Sequence, residues 1–165
     1  MAYRDYVAII PGKLYQGSAP PEGGELHALG FDVVVLTAEE YQPNYFPGVQ
    51  AIHAPFDDSF NLKQGLRGAV PAARLVAAAV RAGGRVLVTC HMGLNRSGLV
   101  TALALWELGA GTGAQVVEQV KAARRFALNN PIFANWLRTL PLREAGAVRK
   151  AARAKLTARR AAEVL

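Results

Sequence analysis

The stretch Arg85–Leu105, "RVLVTCHMGLNRSGLVTALAL", decides how the rest of the chain is read. Val86–Thr89 is apolar or β-branched at every position, the pattern of a strand buried on both faces. Ser97-Gly98 then opens a run of helix formers. Between them stands the chain's only cysteine, Cys90, with Gly93 three residues on and Arg96 six residues on. A buried structural cysteine needs no arginine nearby, whereas a loop that holds a phosphate and attacks it needs both. Amides in a tight strand-to-helix loop converge on one point as a nest for an oxyanion. The helix behind adds its unpaired N–H groups and the positive end of its dipole. Gly93 permits a backbone conformation, and a closeness to ligand, that a side chain forbids. Arg96 supplies a planar fork for two phosphate oxygens. The same positive field favours a cysteine thiolate over the thiol. These parts suffice to move a phosphoryl group through sulfur.

The composition fits such a catalyst. The chain has 165 residues, 52% hydrophobic and 19% charged, which predicts one domain with a real core and argues against disorder. No apolar run reaches the roughly 20 residues that span a bilayer. "VAII" before Pro11 is too short for a signal peptide's apolar segment. A single cysteine forms no internal disulfide, so a reducing, cytoplasmic setting is expected. The net charge of +7 is uneven: residues 143–165 hold seven of the nineteen basic residues against Glu144 and Glu163, a net +5.

Outward from the loop, strands alternate with helices. "YVAII" and "KLYQG", joined by Pro11-Gly12, predict a small N-terminal strand pair. A short helix follows, closed by Gly30. "FDVVVLT" and "GVQAIHAPF" read as further strands, the second leading into the loop "DDSFN". A helix is expected to begin near Leu66 or Pro71 and to end at Gly83-Gly84. Three helical segments, 97–111, 113–128 and 130–140, follow the phosphate-binding candidate. The fold class is therefore α/β, a central, mostly parallel sheet flanked by helices, with ligands expected at the carboxyl ends of the strands. Residues 1–142 form the expected catalytic domain, and 143–165 a basic Ala/Arg-rich helix or tail.

"CHMGLNRSG" resembles the Cys-x5-Arg-Ser/Thr signature of the protein tyrosine phosphatase superfamily, in particular its small dual-specificity branch. "PGKLYQGSAP", "FDVVVLT", "APFDDSFN" and "VVEQVKAARRFALNNPIFANWL" resemble further segments of that branch, so the likeness covers about residues 8–140. The resemblance implies a dual-specificity phosphatase fold and hydrolysis of phosphomonoesters by way of a phosphocysteine. It departs in one place: Thr89 stands where most members have a histidine before the nucleophile.

Sulfur attack expels an alkoxide or phenolate, which leaves more easily when protonated, so a carboxyl is required above the loop. Asp57 and Asp58 are both candidates by topology; the resemblance favours Asp58, with Asp57 the alternative. Ser97 is read as a hydrogen-bond partner of the sulfur, a helix cap, or both. The amides of His91, Met92, Gly93, Leu94 and Asn95, with Arg96, form the expected phosphate seat. The His91 side chain is read as a rim residue, and Asn95 either holds the loop from within or faces water. Met92 and Leu94 either wall an aromatic ring or pack inward. His27 and His53 are read as structural. One cysteine and three scattered histidines make no zinc site, and the chemistry requires no metal or other cofactor.

Three functional readings follow. The first is a phosphatase of phosphoproteins, phosphotyrosine and also phosphoserine or phosphothreonine. The second is a phosphoinositide or RNA 5′-phosphatase; by the resemblance, lipid-phosphate members carry lysines in this loop, and the absence of lysine between Cys90 and Arg96 counts against the phosphoinositide form. The third is a weakly active phosphate-binding module, motivated by Thr89. The tail is read as a solvated helix or as an arm for an anionic partner.

Overall fold

The computed structural model describes residues 2–40 and 42–143, and the alanine-rich tail from residue 144 lies outside them. Five strands form one sheet: β1 (Tyr6–Ile10), β2 (Leu14–Gly17), β3 (Val33–Leu36), β4 (Gln50–His53) and β5 (Val86–Thr89), in the order β1-β2-β5-β3-β4. β1 and β2 pair antiparallel across the Pro11-Gly12 turn, and the other three pairings are parallel. The mostly parallel sheet read from the sequence is thus the sheet observed. β5 sits at its centre, between β2 and β3, and each of its residues is buried.

The unbroken apolar strands are explained by two covered faces. Leu14, Val33, Val35, Val86 and Val88 belong to the core shared with the main helices. Their neighbours Tyr15, Val34, Leu36 and Leu87 face a second cluster with Tyr3, Leu26, Phe31 and Phe46. Period-two side chains require that one strand feed both layers. The first layer consists of α2 (Leu62–Arg81), α3 (Arg96–Glu107), α4 (Gly113–Ala123) and α5 (Pro131–Arg138); the single turn α1 (Glu25–Ala28) lies with the second.

Three helix boundaries differ from the sequence reading, the first being that the segment expected over 97–111 ends at Glu107. α2 begins at Leu62, not near Leu66 or Pro71, because Asn61 caps it by accepting from Gln64 N at 3.2 Å. Pro71 lies inside it. A proline there removes one hydrogen bond, but the buried stripe Gly65, Ala69, Ala72, Ala73 and Val76 keeps the helix against the core. The helix expected over 113–128 ends at Ala123. Phe126 and Leu128 then adopt left-handed backbone, φ 66° and 54°, which breaks the helix. At the far end, Arg143 pairs with Glu107 and stacks over Trp106 at 5.0 Å, so this residue of the expected tail is packed on α3. Among the described residues no helix is long and apolar enough to cross a membrane.

Candidate active site

Cys90 ends β5 and Arg96 starts α3, so the five residues between them close the loop at the carboxyl edge of the sheet. Its shape is imposed from behind. The carbonyl of His91 accepts from Ala19 N (3.3 Å), that of Met92 from Arg124 Nη2 (3.0 Å), that of Gly93 from Gln16 Nε2 (3.0 Å) and that of Leu94 from Leu128 N (3.1 Å). In a trans peptide the C=O and the following N–H point in opposite directions. Four carbonyls tied outward therefore turn the N–H groups of Met92, Gly93, Leu94 and Asn95 inward. Among the described residues none of these amides donates to a backbone carbonyl. Gly93 has φ 69°, and a Cβ there would lie 2.4 Å from the carbonyl carbon of Gly17, so only glycine fits.

Cys90 is buried beside this ring, and its Sγ–H donates to Ser97 Oγ at 3.3 Å. Arg96 is also buried. Its Nη1 and Nη2 donate to the two carboxylate oxygens of Glu40 at 2.6 and 2.8 Å, while Nε, among the described residues, finds no partner. Glu40 thus occupies the outer edge of the guanidinium, and the side edge made by the buried Nε and a remaining Nη hydrogen is left unpaired by it. Two parallel donors on that edge match two oxygens of a phosphate. The Arg96 hydrogen bonds hold the Glu40 carboxyl at about 2, well below its usual 4.5. Burial works against the charge of Arg96, but the Glu40 hydrogen bonds and the nearby Cys90, Glu40 and Asp58 outweigh it and raise the guanidinium's pKa.

The loop after β4 lies beside the phosphate loop, with Phe56 O 3.5 Å from Arg96 Nη1. Asp58 accepts from Asn95 Nδ2 at its Oδ2 and from Asn130 Nδ2 at its Oδ1, both at 2.9 Å. Asp57 is exposed, with no side-chain hydrogen bond among the described residues. Of the two aspartates, Asp58 is the one joined to the phosphate loop.

The other residues singled out from the sequence differ in burial and in partners. Thr89 is fully buried, and its hydroxyl donates to Val35 O on β3 at 3.0 Å. That hydroxyl stitches two strands together. The His91 and Met92 side chains are exposed at the rim, Met92 at 62%, and Leu94 is half-buried. Asn95 both donates to Asp58 and accepts from Asn130 N, which is the inner, shape-holding alternative. His27 lies against Gly48, and His53 ends β4. Four side chains that take part were not singled out from the sequence: Glu40, Gln16, Arg124 and Asn130. Asn130-Pro131 carried the signature of a helix start, and Glu40 follows a strand at the ligand-bearing edge of the sheet, but neither signal names a partner.

No protein-family model matches the chain. Human dual specificity phosphatase 28 is 34% identical over 130 residues, covering 77% of this chain and 72% of the relative. The crystal structure of that human protein superposes with a TM-score of 0.70 at 32% identity, over 82% of this chain and 92% of the other. A mouse protein described as a dual specificity phosphatase, crystallised with zinc tungstate, gives a TM-score of 0.71 at 29% identity, over 82% and 86% of the two chains. On this likeness in sequence and in fold, the chain belongs to the small dual-specificity branch of the protein tyrosine phosphatase superfamily.

Proposed function

We propose that the chain dephosphorylates proteins through a phosphocysteine formed on Cys90. The observation that carries this reading is the set of four loop carbonyls tied outward, which turns the amides inward, beside the unpaired edge of Arg96. Preorganised donors of this kind stabilise charge as it develops on the equatorial oxygens, with no reorganisation during reaction. In the first step the Cys90 thiolate attacks phosphorus, the P–O bond to the leaving group breaks, and Asp58 gives its proton to the departing oxygen. In the second step the Asp58 carboxylate takes a proton from water as that water attacks phosphorus. The S–P bond breaks, inorganic phosphate leaves, and the Ser97 hydroxyl turns to donate to the returning thiolate.

A protein substrate is favoured by the lip of the site. Met92 and Phe60 are exposed at 62% and 76%, and Phe126 stands exposed between two residues that bond to the phosphate loop. Such apolar groups suit the ring of phosphotyrosine and the side chains that flank it, and no lysine lies between Cys90 and Arg96 to favour a polyphosphorylated headgroup. The unpaired cysteine suits a reducing compartment, the cytoplasm. The test is hydrolysis of p-nitrophenyl phosphate, followed by phosphotyrosine, phosphothreonine and phosphoinositide substrates at equal concentration. Vanadate-sensitive turnover that Cys90→Ser abolishes, highest on phosphopeptides, is the expected result. Full activity in Cys90→Ser would overturn the mechanism, and a preference for the lipid would overturn the substrate class.

A further inference from the structure

We infer that Asn130 is a positioning residue for the general acid, and that it fixes Asp58 over the phosphate loop by joining three separate parts of the chain. The inference rests on the acid role proposed above for Asp58.

Asn130 sits at the N-terminus of α5, where its Oδ1 caps the helix by accepting from Ile132 N (3.0 Å) and Phe133 N (3.5 Å). An N-cap asparagine needs only that oxygen for capping. Its amide nitrogen is free for another task, and here it donates twice to the acid loop, to Asp58 Oδ1 (2.9 Å) and to Ser59 O (3.1 Å). Its backbone N–H donates to Asn95 Oδ1 at 2.9 Å, and Asn95 Nδ2 returns to Asp58 Oδ2 at 2.9 Å. The hydrogen bonds form a closed circuit: Asp58 to Asn95, Asn95 to Asn130, Asn130 to Asp58. Each asparagine presents its oxygen and its nitrogen to different elements, so the circuit fixes how both amides are turned.

The three members come from the β4–α2 loop, the phosphate loop and the start of α5. Asn130 is itself buried to 7% exposure, whereas Asp58 is exposed and borders a hollow of about 240 Å³ shared with Phe60, Asn129 and Pro131. A buried anchor holding an exposed carboxyl limits where that carboxyl points without enclosing it. An acid on an untethered surface loop would sample many positions, and misplacement by about 1 Å costs on the order of 100-fold in rate. Asn130 holds Oδ1. Oδ2, on the side of the phosphate loop, is then the oxygen that carries the transferable proton, with its Asn95 contact exchanged for the leaving-group oxygen.

Capping and positioning use different atoms of one side chain, so they can be separated. Asn130→Asp keeps an oxygen for the cap but replaces the donor to Asp58 by a like charge; Asn130→Ser keeps a capping hydroxyl too short to reach Asp58. The experiment compares p-nitrophenyl phosphate with phenyl phosphate, whose leaving group needs protonation more. Either Asn130 variant is expected to lower the phenyl/p-nitrophenyl ratio of kcat about tenfold, in the direction of Asp58→Ala. In the Asp58→Ala background each is expected to change that ratio by less than about twofold, since a residue acting through Asp58 has nothing left to position. An unchanged ratio in both Asn130 variants, while Asp58→Ala lowers it, would overturn the inference and leave the acid role standing. No change of ratio in Asp58→Ala would overturn the acid role itself and the inference with it. A further drop in the double variants would make Asn130 a structural residue only.

Discussion

Glu40 grips the outer edge of Arg96, one carboxylate oxygen on each terminal nitrogen at 2.6 and 2.8 Å, although the two residues are 56 positions apart. The glutamate side chain is half exposed and the arginine almost wholly buried, so the pair is anchored at one end and open to water at the other. A hydrated carboxylate in this place orients the fork without cancelling the charge that a dianion requires.

Loss of that grip is expected to free the guanidinium. Glu40→Gln should lower kcat/KM for p-nitrophenyl phosphate by about tenfold, the scale of one charge-assisted hydrogen bond discounted for exposure. The effect should lie in KM and in vanadate affinity more than in the leaving-group ratio. The pH dependence follows from the depressed Glu40 carboxyl. Its folded value, about 2, lies below the usual 4.5, so its stabilising contribution is complete above 4.5 and declines as pH falls toward about 2. The difference in urea midpoint between wild type and Glu40→Gln should therefore be constant from pH 7 to pH 5 and shrink below about 4.5.

Gly93→Ala should destroy the seat while sparing most of the fold. A Cβ would lie 2.4 Å from Gly17 C and 2.6 Å from Ser18 N, in a left-handed conformation that costs a non-glycine residue about 1–2 kcal/mol. The loop must move to relieve this. Vanadate binding and turnover should fall at least about 100-fold, with far-UV circular dichroism close to wild type.

Gln16→Leu tests the same seat from behind. The side chain is fully buried, its Nε2 holds Gly93 O, and among the described residues its Oε1 has no partner. Leucine removes the unsatisfied Oε1 but leaves the buried Gly93 O without its partner, so unfolding free energy should fall by about 1–3 kcal/mol. The Gly93 peptide would lose its outward tie, and kcat should fall about tenfold. A large loss of stability with unchanged kcat would contradict the role given to this glutamine.

Phe126 has φ 66° and is 64% exposed, so the fold accepts strain there without gaining burial. Phe126→Asn, a residue that tolerates left-handed backbone, should hold or raise stability by up to about 1 kcal/mol. KM for a phosphotyrosine peptide should rise, while that for p-nitrophenyl phosphate, which does not extend past the rim, should stay within about twofold. Equal effects on both substrates would remove Phe126 from the lip.

The parts of this site legible in the sequence were those whose physics is local. Val86–Thr89 followed by Cys90, Gly93 and Arg96 states a strand, a turn and a helix start in one continuous segment, and the observed loop has that form. Asp57 and Asp58 could be set at the right sheet edge by topology. What stayed hidden was pairing across the chain: Glu40 with Arg96, Gln16 with Gly93, Asn130 with Asp58. Such partners share no spacing, and a buried glutamine or a capping asparagine looks the same whether or not it reaches an active site. The end of α4 at Ala123 was hidden for the same reason. "KAARRFAL" is a good helical sequence, yet Arg124 and Leu128 are taken up by carbonyls of the phosphate loop.

Those outward ties have one more consequence. The curvature of the nest is written into β2, the residues just beyond it and the segment that follows α4, so the side chains of His91, Met92 and Leu94 carry little of the job of keeping it bent. Selectivity for one phosphorylated target over another can therefore be retuned at these three positions, by evolution or by a protein engineer, while the chemistry underneath is inherited intact.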